Sequence, residues 1–565
     1  MRWQRTRTMM ASPEQRPGET YDLIVIGAGI NGAGIARDAA LRGLRVLILD
    51  KGDLCAGASG GSTRLIHGGL RYLEFAEIGL VRESLREREA LLQLAPHLVK
   101  PILLMAPIYK GAYHGPWSIR AGMVAYDVLS YGKSVDHHHM LSRDQALQRM
   151  PGLNPDGLVA AALYYDAQIE YSERLIVENT LSARQHGTTV RTYCRVDRFL
   201  LDGNRVKGVA YTDLMDNQTH TAQAHYTVNV AGPWVDQVLR GLGRPVPRLI
   251  GGTKGSHLVV DPFPGAPADG VYVEARTDRR PYFILPWNDR YLIGTTDIRF
   301  QGDLDHLEAQ DAEIEYLLRE TNRVIPGAGL TRDSVLYTYS GIRPLPYVAQ
   351  GAAGAITRRH ILHDHAPEIL GLMSIIGGKL TTYRNLAEQA VDTIFAKLGR
   401  TAPPCTTRQA VMPGATAGLS QFRESFTQES GLSARTVNHL LRVYGTRAKD
   451  VLALANDAPD LREVFDPDTG AIGAEVVMAV RQEMARTLGD ILLRRTMVGL
   501  GGGVGLNADK AAAEIARRHL GWDQARIDQE IDAYRKYVQR FHPRTPPPVP
   551  PAPSLAVFGR PKIDH

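Results

Sequence analysis

The sequence has few cysteines and no long apolar run. Its 565 residues include only three cysteines, Cys55, Cys194 and Cys405, and none of them belongs to a CxxC pair. A disulfide framework or a zinc ribbon is therefore not expected, and a reducing compartment is the default prediction. No stretch comes close to the roughly 18 uninterrupted apolar residues that a transmembrane helix requires.

Excess charge of one sign is also nearly absent. The 66 Lys and Arg residues against 60 Asp and Glu residues give a formal net charge of +6. So small an excess in so long a chain does not indicate nucleic-acid binding, although it suits an anionic substrate or an anionic membrane surface. The 44% apolar and 22% charged composition is typical of a globular chain of roughly three or four structural units.

Both ends of the sequence are unlike packed structure. The arginines of residues 1–19 are not followed by an apolar segment, so this stretch is predicted to be a disordered N-terminal extension rather than a secretory signal. Residues 541–565 are predicted to form an extended tail, because residues 543–553 hold seven prolines in eleven positions.

A strand, a glycine-rich loop, a helix and a second strand follow one another near the start. Residues 23–26 and 46–49 are short apolar runs of the kind that form buried parallel strands. Between them, residues 27–32 read GAGING, and Asp50 directly follows the second run. This is a GxGxxG loop in the βαβ context that dinucleotide binding requires.

Each glycine of this loop has a physical role in that context. Gly27 permits the tight turn, Gly29 lets the backbone approach a pyrophosphate, and Gly32 allows helix and strand to pack closely. The pyrophosphate charge then lies at the helix N-terminus, and Asp50 accepts hydrogen bonds from the adenosine ribose. The loop alone does not distinguish NAD from FAD.

Two further stretches favour FAD. Residues 229–232 read NVAG after an apolar strand and are similar to a second short motif of FAD-binding proteins, and small residues at 58–63 are suited to line a flavin or its phosphates. We therefore predict FAD as the cofactor, held by Gly27, Gly29, Ile30, Asn31, Gly32, Asp50, Lys51, Ser59, Ser62, Thr63, Ala231 and Gly232.

Several motifs together closely resemble the FAD-dependent glycerol-3-phosphate dehydrogenases. They are RLIHGGLRYLE at 64–74, KGSH at 254–257, GTTD at 294–297, YSGIRP at 339–344 and GGKLTTYR at 377–384. Their order and spacing are similar to the family's from about residue 21 to residue 540. The resemblance implies an α/β flavoprotein of the D-amino-acid-oxidase type: an FAD-binding two-dinucleotide-type fold with a parallel sheet, an antiparallel-sheet substrate domain and a C-terminal all-α domain.

The predicted domains are discontinuous along the chain. The FAD-binding domain comprises residues 20–100, 151–245 and 350–400, and the substrate-binding domain comprises residues 101–150 and 246–349. A C-terminal helical domain covers residues 405–540, where the apolar spacing changes to that of helices.

Local patterns give predictions that the fold can test. Residues 78–94 carry a helical apolar stripe, and the charges between them are interpreted as a solvated face. A helix is predicted at 172–187, strands that return to the first sheet at 206–230, and a strand pair at 282–296. Short strands and turns are expected to dominate the other parts of residues 101–270.

Cations next to glycine-rich backbone suit a phosphorylated substrate. A phosphomonoester dianion needs several fixed donors, and arginine offers a planar fork of them. Arg71, Arg343 and Lys379 have this setting, the matching family segment adds Arg358, and Tyr72 adjoins Arg71. These five residues are the predicted substrate-binding set.

Oxidation of a secondary alcohol needs a base for the hydroxyl proton and a hydride acceptor, which is the flavin. His67 and His257 are the histidines within motifs, and either is a candidate base; Arg343 completes the predicted catalytic set. Residues 378–381, which are Gly378, Lys379, Leu380 and Thr381, are predicted to contact the flavin. No metal is predicted, because the consecutive residues 137–139, all histidines, do not share one face.

The resemblance implies FAD-dependent oxidation of sn-glycerol 3-phosphate to dihydroxyacetone phosphate, with electrons passed to a membrane quinone. The implied location is the cytoplasm, with the protein attached peripherally to the inner face of the cytoplasmic membrane. The sequence leaves open whether the protein forms a homodimer. The alternatives are a glycerol-3-phosphate oxidase that uses O2, an amine or amino-acid oxidase, and a non-catalytic flavin-binding sensor. The lack of a long insertion between Arg343 and Lys379 favours the dehydrogenase, and the retained cations argue against the sensor.

One stretch departs from the family pattern. Residues 172–175 read SERL where DARL is more usual, so the acidic role there passes to Glu170 or Glu173.

Overall fold

The computed structural model of the protein describes residues 20–74, 77–112, 114–132, 134–349, 356–415 and 418–542. The predicted N-terminal extension (1–19) and nearly all of the predicted tail (543–565) lie outside these residues. In chain order the strands are β1 (Thr20–Ile26), β2 (Val46–Leu49), β3 (Leu65–Ile66), β4 (Val99–Tyr109), β5 (His139–Ser142), β6 (Leu158–Ile169), β7 (Thr189–Arg191), β8 (Cys194–Asp202), β9 (Arg205–Asp213), β10 (Gln218–Asn229), β11 (Thr253–Val260), β12 (Gly270–Glu274), β13 (Pro281–Trp287), β14 (Arg290–Gly294), β15 (Ile298–Arg299), β16 (Val335–Arg343), β17 (Ile361–Asp364), β18 (Leu372–Ile376), β19 (Val464–Asp466) and β20 (Ala471–Ile472).

The helices are distributed between and after these strands. They are α1 (Ile30–Leu41), α2 (Ile78–Leu94), α3 (Pro116–Leu129), α4 (Arg143–Arg149), α5 (Ser172–Gln185), α6 (Val235–Leu239), α7 (Asp311–Val324), α8 (Tyr383–Lys397), α9 (Leu419–Glu429), α10 (Ala434–Tyr444), α11 (Ala448–Ala455), α12 (Gly473–Arg481), α13 (Leu488–Asp490), α14 (Asp509–Leu520) and α15 (Gln524–Val538). A π-helical turn spans Ile491–Arg495, and a 3₁₀ turn spans Gln539–Phe541.

The first sheet is parallel at its centre. Its strand order is β17-β18-β10-β1-β2-β7. In addition, β9 pairs with β10, and β8 pairs with β9. Leu23 of β1 lies opposite Val46 of β2, and both are buried in one cluster with apolar residues of α1, α5 and α8. The apolar runs at 23–26 and 46–49 therefore form the predicted buried parallel strands, and the predicted return of residues 206–230 to this sheet is confirmed.

The second sheet is mainly antiparallel. Its order is β15-β11-β14-β13-β12-β4-β6-β3, with β16 paired to β11 and β5 to β6. The predicted strand pair at 282–296 is confirmed as β13 and β14, joined by Asn288 and Asp289, both with positive φ. Two such residues form the turn that matches the twist of a hairpin.

Helices make up most of the described residues after 405, and they bury apolar side chains such as Leu440, Val476 and Leu492. The predicted α/β fold, with a parallel sheet, an antiparallel sheet and a helical C-terminal region, is confirmed.

The division into domains stays a prediction. The strand pairing puts β6, which lies in the segment 151–245 predicted for the FAD-binding domain, in the second sheet beside β4.

Two local predictions are wrong in part. The charges of α2 do not all form a solvated face, since Glu87 and Arg88 are buried. Glu87 accepts hydrogen bonds from Arg384 of α8, and Arg88 pairs with Asp166 of β6 at 2.8 Å, so each buried charge has a distant partner. Within residues 101–270, expected to hold short strands and turns, α3 forms a helix of 14 residues.

Candidate active site

A cavity of 700 Å³ extends from the carboxyl ends of β1, β2 and β10 to the second sheet. This edge of a parallel sheet is where ligands bind in open α/β folds. The predicted residues on its wall are Gly27, Gly29, Ile30, Asn31, Asp50, Lys51, Ser59, Ser62, Thr63, His67, Tyr72, Ala231, Gly232, His257, Arg343, Arg358, Gly378, Lys379, Leu380 and Thr381. Residues from six separate sequence motifs therefore meet at one cavity.

The glycine loop joins β1 to α1 by a backbone path that only glycine allows. Gly27 has φ +113, and a Cβ there would lie 2.6 Å from the Val230 carbonyl oxygen. A Cβ on Gly32 would lie 1.9 Å from the Gly27 carbonyl oxygen. Gly32 does not line the cavity, and this close approach agrees with the helix–strand packing predicted for it.

The N-terminus of α1 faces the cavity, and few protein atoms lie directly before it. The Ile30 N–H donates to Ser59 Oγ at 3.1 Å, and the Asn31 side chain donates to the Gly377 carbonyl at 3.3 Å. Asn31 Oδ1 is buried and has no hydrogen-bond partner among the described residues. A Cβ on Gly29 would meet only Ser59 Oγ, at 3.2 Å. The open space at Gly29 leaves room for an anionic ligand at the helix N-terminus, where backbone N–H groups favour negative charge.

Asp50 lies where the second strand ends. Its carboxylate accepts hydrogen bonds from the Ala28 N–H at 2.6 Å and the Gly52 N–H at 2.8 Å, so it ties the glycine loop to the end of β2. Burial raises the pKa of Asp50 despite these two donors. Each carboxylate oxygen has a second lone pair, which leaves acceptor capacity toward the cavity.

Two of the predicted cations share one carboxylate. Arg343 donates to Asp297 Oδ1 and Arg358 to Asp297 Oδ2, each at 3.2 Å. Burial alone would raise the pKa of Asp297, but the two arginines hold it below its ordinary value. Arg358 Nη1 is buried without a hydrogen-bond partner among the residues that the structure describes. The cluster therefore has excess positive charge and an unused donor.

Lys379 approaches the same cavity from the connection between β18 and α8. Its Nζ donates to Ser84 of α2 at 3.2 Å and lies 3.9 Å from the centre of the Tyr72 ring. Burial lowers the pKa of Lys379 to about 7, although Glu83 and Glu77 oppose the shift. The side chain of Arg71 lies outside the described part of the chain, so its role stays a prediction.

Both candidate histidines line the cavity. His67 packs edge-on against Phe283, and Thr381 Oγ1 accepts a hydrogen bond from its backbone N–H at 3.1 Å. His257 lies 2.9 Å from Thr63 Oγ1 and stacks on Tyr339. Burial lowers the pKa of His67 to about 4 and that of His257 well below its ordinary value. Both rings are therefore neutral at pH 7 and able to accept a proton.

The cavity also contains residues that the sequence reasoning missed. Trp234 and Phe283 line it, as do Tyr537 of α15 and Arg540 and Phe541 of the 3₁₀ turn that follows it. Trp234 follows the predicted NVAG motif, which is a weak signal for it. Residues 537–541 lie more than 150 residues from the last predicted flavin contact, and no local pattern assigned them to the cavity.

Of the two acidic residues proposed for the SERL segment, Glu173 contacts the motif at residues 64–74. It pairs with Arg64 through two hydrogen bonds of 2.8 and 2.9 Å, and both side chains are buried. Glu170 instead pairs with Arg442 of α10. The Arg64–Glu173 pair fixes the strand that leads into the segment containing His67.

The fold and this cavity define a flavin-dependent oxidoreductase, and the comparisons agree. The family model "FAD dependent oxidoreductase" matches residues 22–384, and the model "C-terminal domain of alpha-glycerophosphate oxidase" matches residues 405–527. The chain therefore belongs to the FAD-dependent oxidoreductase family, and its predicted cofactor, FAD, is confirmed.

Individual relatives agree with this membership. A protein of Synechocystis named glycerol-3-phosphate dehydrogenase is 48% identical, over 92% of this chain and 96% of that protein. A Brucella abortus protein named D-erythritol 1-phosphate dehydrogenase is 38% identical, over 86% of this chain and 95% of its own. The structure of the Bacillus halodurans glycerol-3-phosphate dehydrogenase complexed with FAD has a TM-score of 0.76 at 28% identity, over 93% and 95% of the two chains.

The residues present fit FAD. The open space at Gly29 lies at the helix N-terminus where a pyrophosphate binds, and Asp50 lies where a ribose binds. The roles of the individual residues toward FAD and substrate stay predictions.

Proposed function

We propose that this chain oxidises sn-glycerol 3-phosphate to dihydroxyacetone phosphate. The observation that carries the proposal is the pair Arg343 and Arg358, joined through Asp297 beside the glycine-loop cavity, with Arg358 Nη1 left without a partner among the described residues. A phosphomonoester dianion satisfies such a donor set. The names of the relatives that match most of the chain agree with this substrate.

Lys379 adds a third cation to the phosphate site in this proposal. Its Nζ lies beside Tyr72, which is also on the cavity wall. A bound dianion favours the protonated form of Lys379, which burial otherwise disfavours. The binding energy of the phosphate then holds the carbinol in position for reaction.

The hydroxyl proton passes to a histidine. Bound FAD supplies the hydride acceptor. His67 and His257 are both neutral on the cavity wall, and they remain alternative bases. The Arg343 guanidinium stabilises the negative charge that develops on the substrate oxygen as the proton leaves.

We further infer that electrons leave to a membrane quinone and that the protein docks on a membrane surface. Within the described residues, no helix is both long and apolar enough to cross a membrane. The outer face of α3 and the turn after it expose Trp117, Val124, Val128 and Tyr131. Aromatic residues at the two ends of an apolar helix face are typical of helices that lie in a membrane interface.

Anaerobic reduction tests the proposed substrate. The purified protein, mixed with glycerol 3-phosphate in the absence of oxygen, should lose its flavin absorbance band within the time of mixing. D-erythritol 1-phosphate should be tested in parallel, because a relative that matches 86% of the chain is named for it. Bleaching by the erythritol ester and not by glycerol 3-phosphate would overturn the proposed substrate.

The acceptor is tested by reoxidation of the reduced protein. A soluble quinone should restore the flavin band faster than dissolved oxygen does, and NAD should not restore it. Rapid peroxide formation at comparable turnover would instead identify an oxidase.

Sedimentation with vesicles that contain anionic lipid tests the docking surface. Replacing both Trp117 and Val128 with Ser should reduce the vesicle-bound fraction, because both apolar side chains are largely exposed. Val464→Ser, at an exposed apolar residue on β19, is the matched control. Equal loss in the control, or no loss in the double variant, contradicts docking through α3.

A further inference from the structure

One carboxylate, Asp297, holds both arginines of the proposed phosphate site. It lies in the connection between β14 and β15, and its two oxygens accept from different guanidiniums, Oδ1 from Arg343 Nη1 and Oδ2 from Arg358 Nη2. Arg343 is on β16, whereas Arg358 is outside any described strand or helix. The carboxylate therefore links these two guanidiniums to each other. Arg280 also approaches its Oδ2, and Arg343 Nη2 donates in addition to Thr295 Oγ1 and the Thr296 carbonyl, each at 3.3 Å.

The segment that carries Asp297 is itself held firmly. The neighbouring Thr296 donates to Glu313 of α7 at 2.6 Å and accepts from the Ser256 N–H at 2.9 Å. Glu313 also pairs with the buried Lys254 at 2.7 Å. Because Thr296, Glu313 and Lys254 are all buried, the backbone before Asp297 has little freedom to move.

A negative charge beside an anion site weakens anion binding by simple electrostatics. The position of Asp297 makes sense if its role is geometric, since it sets the distance between two planar donor groups and leaves Arg358 Nη1 without a partner among the described residues. We propose that Asp297 is a positioning residue that fixes Arg343 and Arg358 at the spacing needed for a phosphate. This inference rests on the proposed function of the site.

Asp297→Asn separates the geometric role from the electrostatic one. The variant removes a negative charge and nearly preserves shape, so electrostatics alone predicts tighter binding of inorganic phosphate to the FAD-loaded enzyme. Positioning predicts weaker binding, by about tenfold to a hundredfold, because the amide nitrogen of Asn cannot accept a hydrogen bond and one of the two guanidiniums loses its acceptor. The measurement is the phosphate Kd from the perturbation of the flavin band.

Asp297→Glu gives a second test that keeps the charge. The carboxylate moves outward by one methylene, so the positioning role predicts weaker phosphate binding in this variant also, whereas a charge role predicts no change. In both variants the KM for glycerol 3-phosphate should rise by a larger factor than kcat falls. Asp303→Asn, an exposed carboxylate nearby in the chain that pairs with His306, is the matched control and should bind phosphate as the natural protein does.

The outcomes distinguish this inference from the proposed function. Phosphate binding by Asp297→Asn that is equal or tighter, with a normal flavin content, overturns the positioning role alone. If glycerol 3-phosphate fails to bleach the natural protein while the variants still bind phosphate more weakly, the proposed substrate is wrong and the positioning role stands. If the natural protein binds neither anion, both are overturned.

Discussion

Lys379 and His67 lie on the wall of one cavity, and burial shifts the pKa of each in the same direction. The pKa of Lys379 falls to about 7 and that of His67 to about 4. In both cases the cause is the cost of a charge in a site with little water. At neutral pH, His67 is therefore a neutral proton acceptor, while Lys379 is charged in only part of the molecules.

The two values predict the pH dependence of kcat/KM for glycerol 3-phosphate. Activity should fall as pH rises through about 7, because Lys379 loses the proton with which it attracts the dianion. It should also fall as pH drops toward about 4, because protonated His67 accepts no further proton. The second ionisation of the phosphate, near pH 6, adds a separate acid dependence.

Two variants show which residue causes each of these decreases in a pH profile of kcat/KM. Lys379→Met should lower the plateau and abolish the decrease above pH 7, so an unchanged alkaline limb contradicts the role of Lys379. His67→Asn should remove most activity if His67 is the base. A variant that keeps its activity transfers that role to His257.

Arg343 gives a prediction that compares two substrates. Glycerol and glycerol 3-phosphate share the reacting carbinol but differ by a dianion. Arg343→Leu removes a charge-assisted contact worth roughly 2–4 kcal/mol, which corresponds to about 30- to 1,000-fold in kcat/KM for glycerol 3-phosphate. Steady-state activity on glycerol should change much less. Equal losses on both substrates in a flavin-loaded variant would place Arg343 at the carbinol or the flavin instead.

At the scale of elements, the β1–α1 connection combines two kinds of glycine. A Cβ on Gly32 would collide with the Gly27 carbonyl, so this residue serves the packing of helix on strand. A Cβ on Gly29 would meet only Ser59 Oγ and otherwise extend into the cavity. Substitution of Gly32 is therefore expected to disturb folding, whereas substitution of Gly29 is expected to disturb the ligand.

Gly29→Val should produce a folded but colourless protein. The branched side chain occupies the space where the pyrophosphate approaches the helix N-terminus, so FAD is excluded while the backbone remains unstrained. Flavin absorbance per protein and circular dichroism measure the two effects. Gly327→Val is the control, since that exposed glycine has open space around it. A yellow, fully loaded Gly29→Val protein would refute the assignment of this loop.

At the scale of the whole molecule, the C-terminal helices hold the loop that follows β2. Asp53, three residues after Asp50, is fully buried and accepts two hydrogen bonds of 2.8 Å from Arg495. Arg494 donates to the same carboxylate at 2.7 Å and also to Asp490. The predicted ribose-binding loop is thus anchored by residues more than 400 positions later in the chain.

Arg495→Met should lower both stability and flavin retention. Removing one partner of a buried ion pair leaves an incompletely compensated carboxylate, and the free energy of unfolding should fall by about 3–5 kcal/mol. Thermal unfolding and the flavin released on gel filtration are the measurements. Arg517→Met, which breaks an exposed pair with Glu514, should leave both almost unchanged. Equal effects of the two variants would contradict the anchoring role.

Local sequence patterns determined much of this protein. The apolar runs of β1 and β2, the glycine loop between them, α5 and the β13–β14 hairpin all follow from interactions between near neighbours in the chain. Of the predicted site residues whose side chains the structure describes, all except Gly32 line the cavity, because the motifs carry them. What the motifs do not specify is which residue pairs with each charge.

Those partners were decided by the tertiary structure alone. The sharing of Asp297 by Arg343 and Arg358, the burial of Glu87 and Arg88 within α2, and the approach of Tyr537 to the cavity each join residues that are distant in sequence. The exposure of the apolar face of α3 is a further case. The spacing of apolar residues indicates a helix face but does not determine whether that face meets the core or the solvent. Helix and strand formation depends on neighbouring residues, whereas pairing of buried charges depends on which chain segments pack together.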